Sequence, residues 1–106
     1  MAFIVLSLFF VVAVLAAFWA KHPETEASLS RWIEVVKGST WASIQQVVAS
    51  VGSSKAISGE RVRFEVHGGN YRLIAAFDFD RQIAFVKFIG THGEYDNVDA
   101  ASVSIF

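Results

Sequence analysis

The sequence predicts an α+β domain in which N-terminal helices pack on one face of a C-terminal antiparallel sheet. Between Arg61 and Ile89 apolar and polar residues alternate in three runs separated by short turn signals, the period of half-buried strands. Upstream, Leu29, Trp32, Ile33 and Val36 recur at i, i+3, i+4, i+7, a stripe suited to a helix lying on a sheet. The chain has 106 residues and no cysteine. That is one domain's worth of material, 1–106, with neither a disulfide framework nor a thiolate metal site.

Ala2 to Ala20 carries no charge and one hydroxyl, Ser7, and three readings of it stand open. It supplies a first strand at Phe9 to Val12 and a buried helix from Val14 to Lys21, with 1–8 as an apolar leader. Alternatively it spans a membrane, for which about 20 apolar residues suffice. The third reading is a secretory signal, although no Lys or Arg precedes the run.

Pro23 suits the first turn of a helix, and Glu24 and Glu26 favour its positive end. Gly38 is placed to end that helix. Ser43 caps a third helix whose buried edge is Ile44, Val47, Val48 and Val51. Lys55 to Ile57 reads as a short strand or a connector. Residues 97–106 form a small, mixed tail that docks or frays.

Gly68-Gly69 supplies the two positive φ values of a type I′ turn, and Asp80-Arg81 suits a second two-residue turn. Those turns fix the register. Leu73 pairs with Phe64 and Phe88, and Ala75 with Val62 and Val86, making one apolar face. On the other face Arg72 opposes Glu65, with Arg63 nearby and Lys87 one diagonal step away, so that this face reads as basic and open. Pairing also brings Asn70 and Arg72 beside Gly90, Thr91 and His92. An amide, a guanidinium, a hydroxyl and an imidazole meet at one rim.

The apolar fraction is 54% and concentrates in the first twenty residues. Net charge is -1, which argues against extensive nonspecific gripping of a nucleic-acid backbone. A substrate held by a larger assembly would relax that need.

The run VRFEVHGGNYRLIAAFDFDRQIAFVKFIGTHGEYDNVD resembles the HigB-type toxins of bacterial toxin–antitoxin pairs, and FWAKHPETEASLSRWIEVVKGSTWAS resembles their helical half. The resemblance runs from Phe18 to Asp99. It departs from the family in the uncharged first segment. It implies a small RelE-like fold and a cytoplasmic, ribosome-dependent mRNA interferase. The implied partners are mRNA, the ribosome and a helix-turn-helix antitoxin of the HigA type.

Metal-independent cleavage of RNA uses the substrate's own 2′-hydroxyl, and needs acid/base groups titrating near neutrality and fixed positive charge. His92 suits the proton donor, an unperturbed imidazole titrating at about 6.5; its structural alternative is to close the loop after a strand. Arg72 suits a two-oxygen phosphate clamp, against a surface ion pair with Glu65. Asn70 serves either the 2′-hydroxyl or a base edge, or else the turn itself. Glu94 is a base, an orienter of His92 or a partner for a lysine. Lys87 and Arg63 offer phosphate contacts, and Tyr95 stacks on a base or covers the sheet edge. Lys37 and Trp41 offer a further phosphate contact and stacking platform, against a core role for Trp41. His22 and His67 are far apart in sequence, so no metal site or cofactor is expected. A non-catalytic RNA- or partner-binding protein of the same fold, tethered through 2–20, is the alternative function.

Overall fold

The computed structural model describes residues 4–5 and 8–105. Its elements are β1 (Ile4–Val5), α1 (Leu8–Lys21), a 3-10 turn (Pro23–Thr25), α2 (Glu26–Lys37) and α3 (Ile44–Ser50). Then come β2 (Ser54–Ala56), β3 (Arg61–Val66), β4 (Tyr71–Asp78), β5 (Ile83–Thr91) and α4 (His92–Tyr95). The sheet order is β1-β5-β4-β3-β2, with β1 parallel to β5 and the other pairs antiparallel. The α+β expectation holds.

The N-terminal expectation is corrected. The first strand is Ile4–Val5 rather than Phe9 to Val12, and those later residues lie inside α1. A uniformly apolar run has no polar face from which to read strand or helix, and the strand falls within the supposed leader. Residues 1–3 and 6–7 of that leader lie outside the described residues. The 14 residues of α1 extend about 21 Å at 1.5 Å each, against about 30 Å of bilayer hydrocarbon. Among the described residues no helix is long and apolar enough to cross a membrane.

The stripe Leu29, Trp32, Ile33 and Val36 is buried as its spacing predicts. It packs with Leu15, Ile44, Val47 and Trp41 against Val62, Phe64, Leu73, Ala75, Phe77, Val86 and Ile89 of the sheet. Val48 and Val51 pack at the margin of this core. Ser43 caps α3, its hydroxyl accepting from Gln46 N at 3.3 Å. Gly38 ends α2 with a right-handed φ of -88°, so no left-handed cap requires a glycine there.

The pairing of β3 with β4 follows the expected register, Phe64 with Leu73 and Val62 with Ala75. Between β4 and β5 it holds at Ala75 with Val86 and then shifts. Ile74 pairs with Phe88 and Leu73 with Ile89, leaving Lys87 as an extra, bulged residue. The bulge reverses the alternation beyond it. Ile89, not Phe88, therefore faces the helices.

Phe88 joins Ile74 and Ala76 on the outer face, and all three are buried. The expectation that this face is open and basic is thereby overturned. Arg61 donates through Nη1 to the carbonyls of Ala100 at 3.0 Å and Val103 at 2.8 Å, while Ile105 N donates to Lys87 O at 3.0 Å. These bonds lay the C-terminal segment across the sheet from β3 to β5. The tail docks because the outward positions of β4 and β5 are themselves apolar.

Candidate active site

Val66 pairs with Tyr71 and closes a loop, 67–70, in which Asn70 N donates to His67 O at 3.3 Å. Gly68 and Gly69 sit at its centre with φ of +66° and +90°, the two positive values of the expected turn. His67 is left-handed as well, at φ +52°, a region that non-glycine residues enter seldom. Across the sheet Tyr71 pairs with Thr91, Arg72 with Gly90, and His92 N donates to Asn70 O at 2.9 Å. Asn70, Arg72 and His92 thus meet at one end of the sheet.

Arg72 is drawn inward rather than offered to solvent, with 8% of its surface exposed. Its Nη1 donates to the Gly69 carbonyl, and Nη2 stands 3.7 Å from Glu65 Oε1. A Cβ at Gly69 would lie 3.3 Å from Arg72 Nη1 and 3.4 Å from Glu65 Oε1. Glycine therefore supplies both the turn and the room for this pair. Arg72 Nε is buried without an acceptor, so the guanidinium retains donor capacity that its present partners do not use.

His92 opens α4 and is exposed, its Nδ1 3.2 Å from Asp96 Oδ2 one turn later. That contact turns Nε2 away from Asp96. Glu94 stands beside Gly90, but its Oε1 accepts from Thr91 N at 2.8 Å while Thr91 Oγ1 accepts from Glu94 N at 3.1 Å. This capping box commits one oxygen of the carboxylate to holding α4 in place.

The other expected RNA contacts are scattered. Arg63 is half-buried on the outer face and its Nε has no acceptor. Lys87 is the bulged residue, and its ammonium lies 5.4 Å from the centre of the Phe85 ring. Tyr95 meets Phe88 edge-on at 6.3 Å and so covers the sheet edge. Lys37 pairs loosely with Glu34 at 3.8 Å near the end of α2. Trp41 is only 6% exposed, donates to Ser50 Oγ at 3.0 Å and packs on Phe77. It is a core residue, which removes the stacking platform expected there.

A second group at this end escapes a reading of the sequence. The Tyr71 hydroxyl donates to Glu24 Oε2 and lies 3.2 Å from His22 Nδ1. The hydrogen bond from Tyr71, helped by a backbone N–H, holds the Glu24 carboxyl below its ordinary value. The same bond, with burial, pushes the Tyr71 phenol up. Thr25 orders the turn, its backbone N and Oγ1 both donating to His22 O at 2.9 and 2.8 Å. Forty-nine residues separate His22 from Tyr71, and no local spacing could announce their contact.

A groove of about 430 Å³ lies on the helix side between α2 and the start of the hairpin, lined by Trp32, Val35, Val51, Phe64 and His67 among others. Among the described residues no group of three or more His, Asp or Glu side chains is arranged to hold a metal ion.

No curated protein matches the chain. A family model described as HigB_toxin, RelE-like toxic component of a toxin-antitoxin system, matches residues 25–98, which span the strands β2 to β5 and the helices α2, α3 and α4. The chain belongs to the HigB toxin family, and by that membership it is the toxic half of a toxin–antitoxin pair whose partner is an antitoxin.

Proposed function

We propose that this toxin is an mRNA endoribonuclease that acts in the cytoplasm on messages held by the ribosome, with no metal in the reaction. The observation that carries the reading is the meeting of Arg72, Asn70 and His92 at one end of the sheet, joined by the bond from His92 N to Asn70 O. Arg72 turns outward to clamp the scissile phosphate, exchanging the Gly69 carbonyl and Glu65 for phosphate oxygens. His92 protonates the leaving 5′-oxygen through Nε2, with Asp96 fixing its ring. Asn70, exposed beside them, hydrogen-bonds the ribose or a base edge. A helix-turn-helix antitoxin of the HigA type neutralises the toxin by covering this end or by blocking docking on the ribosome.

Induced expression in a bacterial host tests the reading, with wild type beside Arg72→Ala and His92→Ala at matched soluble levels. Wild type is expected to arrest growth and create new internal mRNA 5′ ends, and each variant to lose at least about a hundredfold of the cleavage. Equal behaviour of three folded, soluble proteins would sink the proposal. It would then favour the non-catalytic binding role, for which the inward posture of Arg72 is the supporting observation.

A further inference from the structure

The groove between α2 and the hairpin takes no part in the proposed reaction, because it lies on the helix side of the sheet while Arg72, paired with Glu65, stands on the outer face. Its volume is about 430 Å³, within the range of sites that take up ligands and partner side chains. The α2 residues along it include Ser28, Arg31, Trp32 and Val35, which recur at i, i+3, i+4 and i+7. This is a second stripe on the helix, sharing only Trp32 with the stripe that packs on the sheet. A helix with one stripe in the core and another along an open groove has a face that its own fold leaves uncovered.

Three features of that stripe lack a partner within the chain. Val35 is 39% exposed, and with Ile105 it is one of the large apolar side chains left open among the described residues. The Trp32 ring meets Phe64 edge-on at 5.7 Å, yet its Nε1 is buried with no acceptor. A buried N–H without an acceptor is a standing cost that a partner's oxygen removes. Arg31 is exposed and makes no ion pair among the described residues. The carboxylate nearest the groove, Glu65, stands 3.7 Å from Arg72, so the charge left uncompensated here is positive.

We propose that this groove seats the antitoxin. An apolar side chain of the antitoxin enters beside Val35 and Val51, a neighbouring carboxylate pairs with Arg31, and the indole of Trp32 turns to give its N–H to a carbonyl of the same segment. Family membership makes the occupant an antitoxin, and the groove sets its chemistry as acidic and apolar. Nucleic acid suits this surface poorly, since one cation beside an apolar wall gives little hold on a phosphate chain. Tryptophan and arginine around an apolar pocket are the side chains that most often carry the affinity of a protein interface. The groove reaches the hairpin at His67, so a seated antitoxin stands behind the loop that carries Asn70 without filling the place of the phosphate. This seating rests on the antitoxin partnership and is independent of the ribonuclease chemistry.

Titration calorimetry of the intact toxin with its purified cognate antitoxin tests the seat. Val35→Asp and Arg31→Glu are each expected to raise Kd at least about tenfold at an unchanged melting temperature. Lys55→Glu, at an exposed lysine paired with Arg63 at the far edge of the sheet, is expected to bind as wild type. When the antitoxin's acidic residues are changed one at a time to Arg, one change is expected to restore binding to Arg31→Glu but not to Val35→Asp. The Trp32 indole proton is expected to move downfield in the complex as it gains an acceptor. Wild-type affinity in both folded groove variants, an equal loss in Lys55→Glu, or an indole resonance that does not move each overturns the seat. Groove variants that bind the antitoxin normally but lose the ribosome also overturn it, and assign the groove to ribosome docking. Absence of antitoxin binding by the wild type overturns it outright. Cleavage of mRNA by Val35→Asp alone is expected at the wild-type rate, so a failure of the ribonuclease reading, seen as no cleavage by the wild type, is read separately from a failure of the seat.

Discussion

Arg72 spends its charge on its own hairpin, and that self-binding sets the affinity for anything that must replace it. Glu65 Oε1 at 3.7 Å stands where a phosphate oxygen would compete. Removing its charge by Glu65→Gln leaves the Gly69 carbonyl as the main competitor. The Glu65 side of the pair is at the surface, and a solvent-screened pair of this kind contributes about 0.2–1 kcal/mol, so KM for ribosome-bound mRNA is expected to fall about 1.5- to 5-fold. Steady-state cleavage kinetics check this, and an unchanged or higher KM would show that Glu65 does not hold the clamp back. The bond from Tyr71 to Glu24 has its own signature in pH. Because the folded state depresses the Glu24 carboxyl below its ordinary 4.5, its contribution is complete above that value and is lost as pH falls through the depressed one. The raised Tyr71 phenol gives a contribution present below its ordinary 10.0 and lost as pH rises through the raised value. Thermal melts of wild type and Tyr71→Phe should differ most near neutrality, with the gap closing at both extremes. A gap that is flat from pH 3 to pH 9 would assign the difference to packing alone.

Among the elements, α3 depends most on one side chain. It has seven residues, too few to hold together without its cap and its tertiary contacts. Ser43→Ala is expected to cost about 1 kcal/mol, read as a lower urea midpoint with an unchanged slope; no shift would mean that packing of Ile44 and Val47 suffices. This cap, the stripe of α2 and the glycine turn were legible in the sequence, because each is a local pattern with a fixed spacing. The face of Phe88 was not. Val86, Lys87 and Phe88 read as unbroken alternation, and a bulge has no marker beyond the residue it displaces. The first strand was hidden for the opposite reason, since the residues around Ile4 and Val5 are all apolar and offer no contrast. The hydrogen-bonded cluster of His22, Glu24 and Tyr71 joins segments nearly fifty residues apart and could be found only after folding. One missed feature did carry a signal. Ile74 and Ala76 alternate outward between Leu73, Ala75 and Phe77, so the face read as basic was half apolar and needed a cover.

At the scale of the molecule the sheet has two buried sides of unequal depth. The helices supply one cover and the C-terminal segment the other, fastened by Arg61 and by the bond from Ile105 to Lys87. Deleting residues 98–106 would uncover Ile74, Ala76 and Phe88. Full exposure of each large apolar side chain costs about 1.5–3 kcal/mol, so a lower melting temperature and concentration-dependent aggregation are expected, by calorimetry and light scattering. A truncated chain that stays monomeric and melts with the wild type would show that the segment merely rests there. The bulge at Lys87 gives this two-sided arrangement an unusual dependence on counting. Substituting Lys87 preserves the parity of β5, and so does loss of its one codon with the reading frame intact, since Phe88 would then follow Val86 directly and still pair with Ile74 on the outer face. For this gene, the in-frame deletion that a strand ordinarily tolerates least is, at this one codon, the deletion that leaves every neighbouring side chain on its own side.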